Sequence, residues 1–113
     1  MSDTAVDQAS TIRALVRDLA ERGYEPSLHN TTGRFEVRVD EVGRWCVTIA
    51  AGSLTVSEEP AECDNVLAFT PADFLDIVTG RRDLVAAYLR GAVRASGDVA
   101  LGLSLRRLVP SRP

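Results

Sequence analysis

The sequence predicts an α+β domain: a five-stranded mixed sheet, made of an antiparallel meander plus two further strands, covered on one face by about four helices. Two patterns carry this prediction. Between residues 34 and 56 apolar and polar residues alternate with a period of two, as in half-buried strands. The segments before and after repeat apolar residues at helical spacing and are bounded by helix-start and helix-stop residues. A length of 113 residues predicts one domain, 1–113.

The first helix is predicted to begin at Thr4 or Asp7 and to end at Arg22. Gly23 follows as a residue suited to a left-handed helix stop. A stripe of four apolar residues at helical spacing is expected to face the core: Ile12, Leu15, Val16 and Leu19. Residues 24–33 are rich in turn formers and are predicted to form a loop.

Three strands are predicted next, in an antiparallel meander. The first has a wet face that carries Arg34, Glu36, Arg38 and Asp40. The second is expected to point one set of residues toward the core, namely Trp45, Val47, Ile49 and Ala51. Gly52 and Ser53 are predicted to form the hairpin turn, after which Leu54 and Val56 continue the buried face.

The second half of the chain is predicted to add two strands and three helices. A strand at 65–69 follows an acidic loop, and Thr70 then supplies an N-cap before a proline and an acid in the first helical turn. This helix should end at Gly80, and residues 83–90 should form another. A short strand is expected over 92–96. Asp98 should cap the last helix, whose apolar stripe is Leu101, Leu105 and Leu108.

This order of elements is similar to the sterol carrier protein type-2 domain family. The resemblance lies in a Trp-led strand from Trp45, the Thr70-Pro71-Ala72-Asp73-Phe74 helix start, and the Gly97-Asp98 step before the last helix. It covers roughly residues 34 to 109. The resemblance implies a sterol-carrier-like fold whose sheet and helices enclose an apolar tunnel for a lipid or similar ligand. It also implies that the last helix flanks this tunnel.

Composition excludes several other classes of protein. A net charge of −3, with thirteen scattered arginines as the basic residues, argues against nucleic acid or an anionic membrane as the main partner. No apolar run reaches the length of about 20 residues that a membrane span needs, so no stable membrane insertion is expected. The N-terminus lacks the features of a secretory signal, which predicts a cytoplasmic location.

Catalytic and metal sites are not predicted. One histidine and two cysteines, with no short ligand spacing, do not make a metal site, and no cofactor motif is present. Geometry leaves a disulfide between Cys46 and Cys63 open, but a reducing cytosol disfavours it, and both are interpreted as small buried hydrophobes. His29 is interpreted as a solvated loop residue, and the acidic loop between the third and fourth strands is expected to face water.

The apolar stripes are the predicted functional feature. Any one of these residues alone is best interpreted as part of an ordinary hydrophobic core, but together they are more numerous than such a core requires. We therefore predict a non-enzymatic carrier or sequestering protein for an apolar small molecule, such as a fatty acyl chain or a sterol-like or polyketide-like molecule. The binding surface should be the inner sheet face plus the first and last helices. The predicted ligand-binding residues are Trp45, Val47, Ile49, Phe69, Phe74, Val78, Leu84, Tyr88, Leu101, Leu105 and Leu108.

Two alternatives stay open at this stage. An apolar pocket in a bacterial biosynthetic pathway could promote cyclisation of an apolar substrate by orientation alone. The domain could instead be an accessory module that binds a partner protein, as similar domains do in quinone-pathway assemblies. A homodimer is also left open.

Overall fold

Five strands form one mixed sheet in the computed structural model, which describes residues 2–108 and the side chains of residues 8–108. The strands are β1 (Thr32–Val39), β2 (Gly43–Ala50), β3 (Ser53–Ser57), β4 (Asn65–Phe69) and β5 (Arg94–Gly97). Their order across the sheet is β3-β2-β1-β4-β5. β1, β2 and β3 form the antiparallel meander, β1 and β4 are parallel, and β4 and β5 are antiparallel. The predicted fold class is confirmed.

Within residues 2–108, four helices and two 3-10 segments accompany the sheet. The helices are α1 (Ser2–Arg22), α2 (Pro71–Val78), α3 (Leu84–Leu89) and α4 (Val99–Gly102). The first 3-10 segment is Pro26–Leu28, and the C-terminal 3-10 segment is Leu103–Leu108. α1 packs against α2 and the β3 edge, and α4 packs against β1, β4 and β5. No helix within residues 2–108 combines the length and the hydropathy that crossing a membrane requires.

Side-chain caps start the three short helices. The Thr70 hydroxyl accepts a hydrogen bond from the Asp73 backbone N–H at 3.2 Å, as the sequence predicts for α2. Asp98 caps α4 in the same way, by accepting from the Leu101 N–H at 3.1 Å. These caps satisfy backbone donors that have no partner inside the helix. They fix the residue at which each of these helices begins.

The core lies between the helices and the inner face of the sheet, which is the face that carries the side chain of Val37. Val37 stands opposite Trp45 on β2 and Leu67 on β4, and all three are buried. Ile12 of α1 and Ile77 of α2 are buried against the same cluster. Because cross-strand neighbours on one face pack together, the register places one apolar surface opposite the helices.

The hairpin between β2 and β3 lies one residue earlier than the sequence predicts. Ala51 and Gly52 form the turn, with φ angles of 51° and 90°, while Ser53 already belongs to β3. Two positive φ angles are typical of the hairpin turn whose twist matches the strands. Ala51 is therefore exposed in the turn, so the prediction that it points toward the core is wrong.

The last helix is also shorter than predicted. α4 ends at Gly102, and Leu103–Leu108 continues as a 3-10 segment. A 3-10 segment repeats every three residues, so Leu105 and Leu108 still share one side and both are buried. β5 likewise begins at Arg94 rather than at residue 92.

Glu36 is the clearest correction on the outer face of the sheet. The alternation predicts a solvent-exposed position, but this residue is only 8% exposed. Its carboxylate accepts a hydrogen bond from Arg38 Nε at 2.9 Å, which compensates for lost hydration. Its cross-strand partner is Cys46, which contacts Cys63 on the connection from β3 to β4. That connection covers this part of the face, so Glu36 is buried.

Candidate ligand-binding cavity

A cavity of about 500 Å³ lies between α1, α2, the inner face of β1 and β2, and the C-terminal 3-10 segment. This volume is within the range of about 300 to 1,000 Å³ that small-molecule sites occupy. The residues that line it are Leu15, Val16, Asp18, Leu19, Arg22, Val37, Trp45, Val47, Phe74, Val78, Leu105, Arg107 and Leu108. Ten of these thirteen side chains are apolar.

The apolar wall is built from five elements. β1 and β2 contribute their inward residues, and α1, α2 and the C-terminal 3-10 segment supply the opposite walls. The strand residues Val37, Trp45 and Val47 are each at most 5% exposed. Leu15 and Leu19 of α1 are only half-buried, although they pack on the core. The cavity therefore lies beside apolar surface of α1 that no other part of the described protein covers.

The charged side chains of the lining lie at the rim. Asp18, Arg22 and Arg107 are all exposed. Arg22 Nη1 donates a hydrogen bond of 2.9 Å to the carbonyl oxygen of Leu108, and its Nη2 donates to the Glu25 carboxylate. Arg22 thus ties the end of α1 to the end of the C-terminal 3-10 segment at the rim.

Glu25 is held in its charged form. The Ser27 backbone N–H donates to its carboxylate at 3.0 Å and is the largest cause of a pKa below the ordinary value of 4.5. The guanidinium groups of Arg22 and Arg107 lower the pKa further, because opposite charges favour the ionised carboxylate. The ion pair between Arg22 and Glu25 at the rim therefore weakens only at acidic pH.

Six of the predicted binding residues meet at this cavity. They come from three elements that are distant in sequence: Trp45, Val47, Phe74, Val78, Leu105 and Leu108. The cavity lies between the inner sheet face, the first helix and the last segment, as the sequence predicts for the binding surface. Whether these side chains contact a ligand stays a prediction.

The other five predicted residues lie in or beside the core but are not part of the cavity wall; they are Ile49, Phe69, Leu84, Tyr88 and Leu101. Phe69 packs edge-to-face on Phe74, with ring centroids 5.2 Å apart. Leu101 lies against Gly33, which is the cross-strand partner of Ile49, so the side chain fills that end of the sheet. Leu84 is buried and Tyr88 half-buried on α3, away from the cavity.

The α1 residues of the cavity are absent from the predicted set. Leu15 and Leu19 are four residues apart and therefore share a helix face, and Asp18 and Arg22 flank that face. A signal was present: the apolar stripe of α1 ends in charged residues, a pattern typical of a face at the edge of a core. Sequence periodicity does not distinguish a helix face that is fully packed from one that borders a cavity.

The groups considered for chemistry lie away from the cavity. His29 is exposed, with its Nδ1 2.9 Å from the carbonyl oxygen of Pro26. Glu58, Glu59 and Glu62 are exposed on the connection from β3 to β4. Among the side chains of residues 8–108, no group of three or more histidines, cysteines or acidic residues is placed to hold a metal ion.

The fold and the cavity together define a small α+β domain with an apolar space between its sheet and its helices. The family model described as the SCP-2 sterol transfer family matches residues 12–110, so the chain belongs to this family. The resemblance predicted from the sequence is confirmed. The description of the family names sterol transfer.

Individual relatives are distant in sequence. The chain is 28% identical over 89 residues to hydroxysteroid dehydrogenase-like protein 2 of Xenopus tropicalis; the match covers 75% of this chain and 21% of that protein. The chain thus spans about a fifth of the length of this curated relative.

Solved structures share the fold. Sterol carrier protein 2 from Yarrowia lipolytica, in its apo form, matches with a TM-score of 0.62 at 12% identity, over 88% of each chain. A stereoselective inverting sec-alkylsulfatase from Pseudomonas sp. matches with a TM-score of 0.64 at 17% identity, over 80% of this chain and 15% of the sulfatase. At such identities the similarity shows the fold alone.

Proposed function

We propose that the chain binds one apolar small molecule, of the fatty acyl, sterol-like or polyketide-like kind, in the cavity beneath α1, and carries or sequesters it. The observation that supports this proposal most is the division of the cavity lining. Ten apolar side chains form the wall, while Asp18, Arg22 and Arg107 lie at the rim. Such a site suits a molecule with an apolar body and a polar end that stays near water.

The volume of the cavity makes an empty, dry state unfavourable. At about 24 cal/mol per Å³, a closed dry void of about 500 Å³ would cost on the order of 12 kcal/mol, which is an upper bound for this cavity because it opens to solvent at its rim. The free energy of unfolding of a small domain is only about 5 to 15 kcal/mol in total. Water is a poor occupant because it needs two to four polar partners, and the buried wall is apolar. An apolar ligand in contact with the wall is therefore more favourable than an empty cavity or one filled with water.

The expected affinity is moderate and the expected specificity broad. Burying about ten methylene groups contributes about 8 kcal/mol before the costs of association, which suggests micromolar binding. One methylene more or less changes the binding free energy by only about 1 to 3 kcal/mol. We therefore propose recognition of a class of apolar molecules rather than of one compound.

The direct test combines native mass spectrometry with thermal melting. Gently purified protein should carry a lipid-sized mass that is lost on extraction with organic solvent. Stripped protein should melt about 10 °C higher when a C12 to C18 fatty acid is present at about 100 times its dissociation constant. A native mass equal to that of the protein alone, together with an unchanged melting temperature across fatty acids, sterols and apolar dyes, would refute carriage of an apolar ligand.

The two alternatives receive no specific support. Among the lining residues that the structure describes, none favours cyclisation over simple binding, and no described surface favours a docked protein over a ligand. Carriage or sequestration is therefore the one function that we propose.

A further inference from the structure

The connection between β3 and β4 crosses the outer face of the sheet, opposite the cavity. β3 lies at one edge and β4 on the far side of β1, so residues 58–64 must pass over β2 and β1. We name these residues the crossover strap. Arg34 of β1 holds its end: the Arg34 backbone N–H donates to Asp64 Oδ2 at 3.0 Å, and the guanidinium donates to the Glu62 carbonyl at 3.3 Å. The strap is short, acidic and anchored at that end.

Two thiols meet where the strap crosses β2. Cys46 points to the outer face and is 6% exposed, while Cys63 on the strap is half-buried. Their sulfur atoms are 3.0 Å apart, and both cysteines are free. A disulfide needs sulfurs about 2 Å apart, so an approach of about 1 Å would join them. A movement of that size is within the reach of side-chain rotation and a small shift of the strap.

We propose that Cys46 and Cys63 form a thiol-modification site that reacts with a low-molecular-weight disulfide and closes into an intramolecular disulfide. The Cys63 thiolate attacks one sulfur of the reagent, the reagent S–S bond breaks, and one thiolate leaves. Cys46 then loses its proton and attacks the Cys63 sulfur of the mixed disulfide, which releases the second thiolate. The protein loses two electrons and two protons, and one reagent disulfide becomes two thiols.

Accessibility assigns the two roles. Cys63 lines an outer groove of about 460 Å³ together with strand residues such as Thr32 and Thr48, so a small reagent can reach it. Cys46 is not among the residues that line this groove and is shielded by the strap. Cys63 is therefore the attacking thiol and Cys46 the resolving thiol.

The surroundings of Cys63 make the first step slow at neutral pH. Burial is the largest cause that raises the pKa of its thiol, to about 12; the Cys46 thiol and Glu36 raise it further, and Arg34 lowers it. Only the thiolate attacks, so the rate of the first step should rise about tenfold per pH unit between pH 7 and pH 9. The pair should thus stay reduced unless the oxidising reagent persists.

Closure should fasten the strap to the sheet. The bridge would close the chain between residues 46 and 63, a segment that contains all of β3. A disulfide across a loop of this size restricts the unfolded chain, and we expect the melting temperature to rise by about 10 °C. Reduction should return the original value.

The test uses the full chain and 2-hydroxyethyl disulfide, a neutral reagent that the acidic strap does not repel. Wild-type protein should lose about 2 Da in mass, without a retained reagent fragment, and should then resist alkylation. In Cys46→Ala, the mixed disulfide on Cys63 should accumulate instead. In Cys63→Ala, the buried Cys46 should stay free.

Several results would overturn the site. If both thiols stay free in folded wild-type protein over a time in which the same chain oxidises fully in urea, the site does not react and the proposal is refuted. A mixed disulfide that persists in the wild type would show that the sulfurs cannot meet. A rate that does not change from pH 7 to pH 9 would exclude attack by the Cys63 thiolate, and an unchanged melting temperature would exclude fastening of the strap.

Discussion

Filling the cavity from α1 should block ligand binding without unfolding the protein. Leu19 is suited to this because it lines the cavity yet is only half-buried, so a larger side chain can enter the space without displacing packed core atoms. In Leu19→Trp, the indole should occupy part of the about 500 Å³ that we assign to the ligand. The same substitution in a tightly packed core would be destabilising by about 1 to 3 kcal/mol.

The expected loss of affinity follows from the contacts displaced. If the indole excludes about three methylene groups of a bound chain, the binding free energy falls by about 2.4 kcal/mol, or roughly 50-fold in dissociation constant. The ligand-free melting temperature should stay the same or rise, because the new side chain covers apolar wall. Loss of affinity with retained stability distinguishes a binding cavity from a packing defect.

The assay is titration calorimetry with a C16 fatty acid, alongside thermal melts of each ligand-free variant. Leu75→Trp is the matched control, because Leu75 is also a half-buried helical leucine but does not line the cavity. Its affinity should stay within about twofold of wild type. Unchanged affinity in Leu19→Trp, or an equal loss in both variants, would refute our placement of the ligand.

Three further predictions concern stability. Arg22→Ala should lower the melting temperature by about 4 °C, because a half-exposed contact to Leu108 contributes about 1 kcal/mol, whereas exposed Arg17→Ala should change it little. Because the pKa of Glu25 in the folded protein lies below its ordinary value of 4.5, its charged carboxylate stabilises the fold above pH 4.5, and this stabilisation is lost as the pH falls through the folded pKa. Acid titration of Glu25→Gln should therefore show a smaller loss of stability than that of wild type. Gly102→Ala should lower the melting temperature by about 8 °C, because the added Cβ would clash with the buried Asn65 amide, and Asn65→Ala should partly rescue it in the double variant; additive losses would contradict this contact.

Local signals in the sequence predict most of the fold. The Thr70 and Asp98 caps, the Asn65–Phe69 strand and the meander all follow from patterns within a few residues, and the structure has them. The hairpin turn shifts by one residue because Ala51 adopts the left-handed conformation next to Gly52. Sequence propensity does not favour alanine there, so the error is a local one.

Positions that depend on crossing connections are harder to predict. Glu36 alternates like a surface residue, yet it is buried where its neighbour Cys46 meets the crossover strap. Nothing within a few residues of Glu36 indicates that a loop from residues 58–64 will cover it. The proximity of Cys46 to Cys63 depends on the same crossing.

The cavity is predicted only in part, for a related reason. Trp45, Val47 and Phe74, three of the predicted binding residues, line it, but the apolar pattern marks Leu84 and Leu101 equally strongly. Which apolar residues border a space and which fill one another depends on packing in three dimensions, such as Leu101 lying against Gly33. A hydrophobic stripe predicts a buried face but does not locate a void behind it.

The most direct test of the central claim is an NMR titration of the methyl-labelled protein with a C16 fatty acid. We predict intermolecular nuclear Overhauser effects from the acyl chain to the methyl groups of Leu15, Val47 and Val78, and none to Leu84, which is buried outside the cavity. Contacts limited to the outer face of the sheet, or no contacts at a saturating concentration of the fatty acid, would contradict the proposal that this cavity holds an apolar ligand.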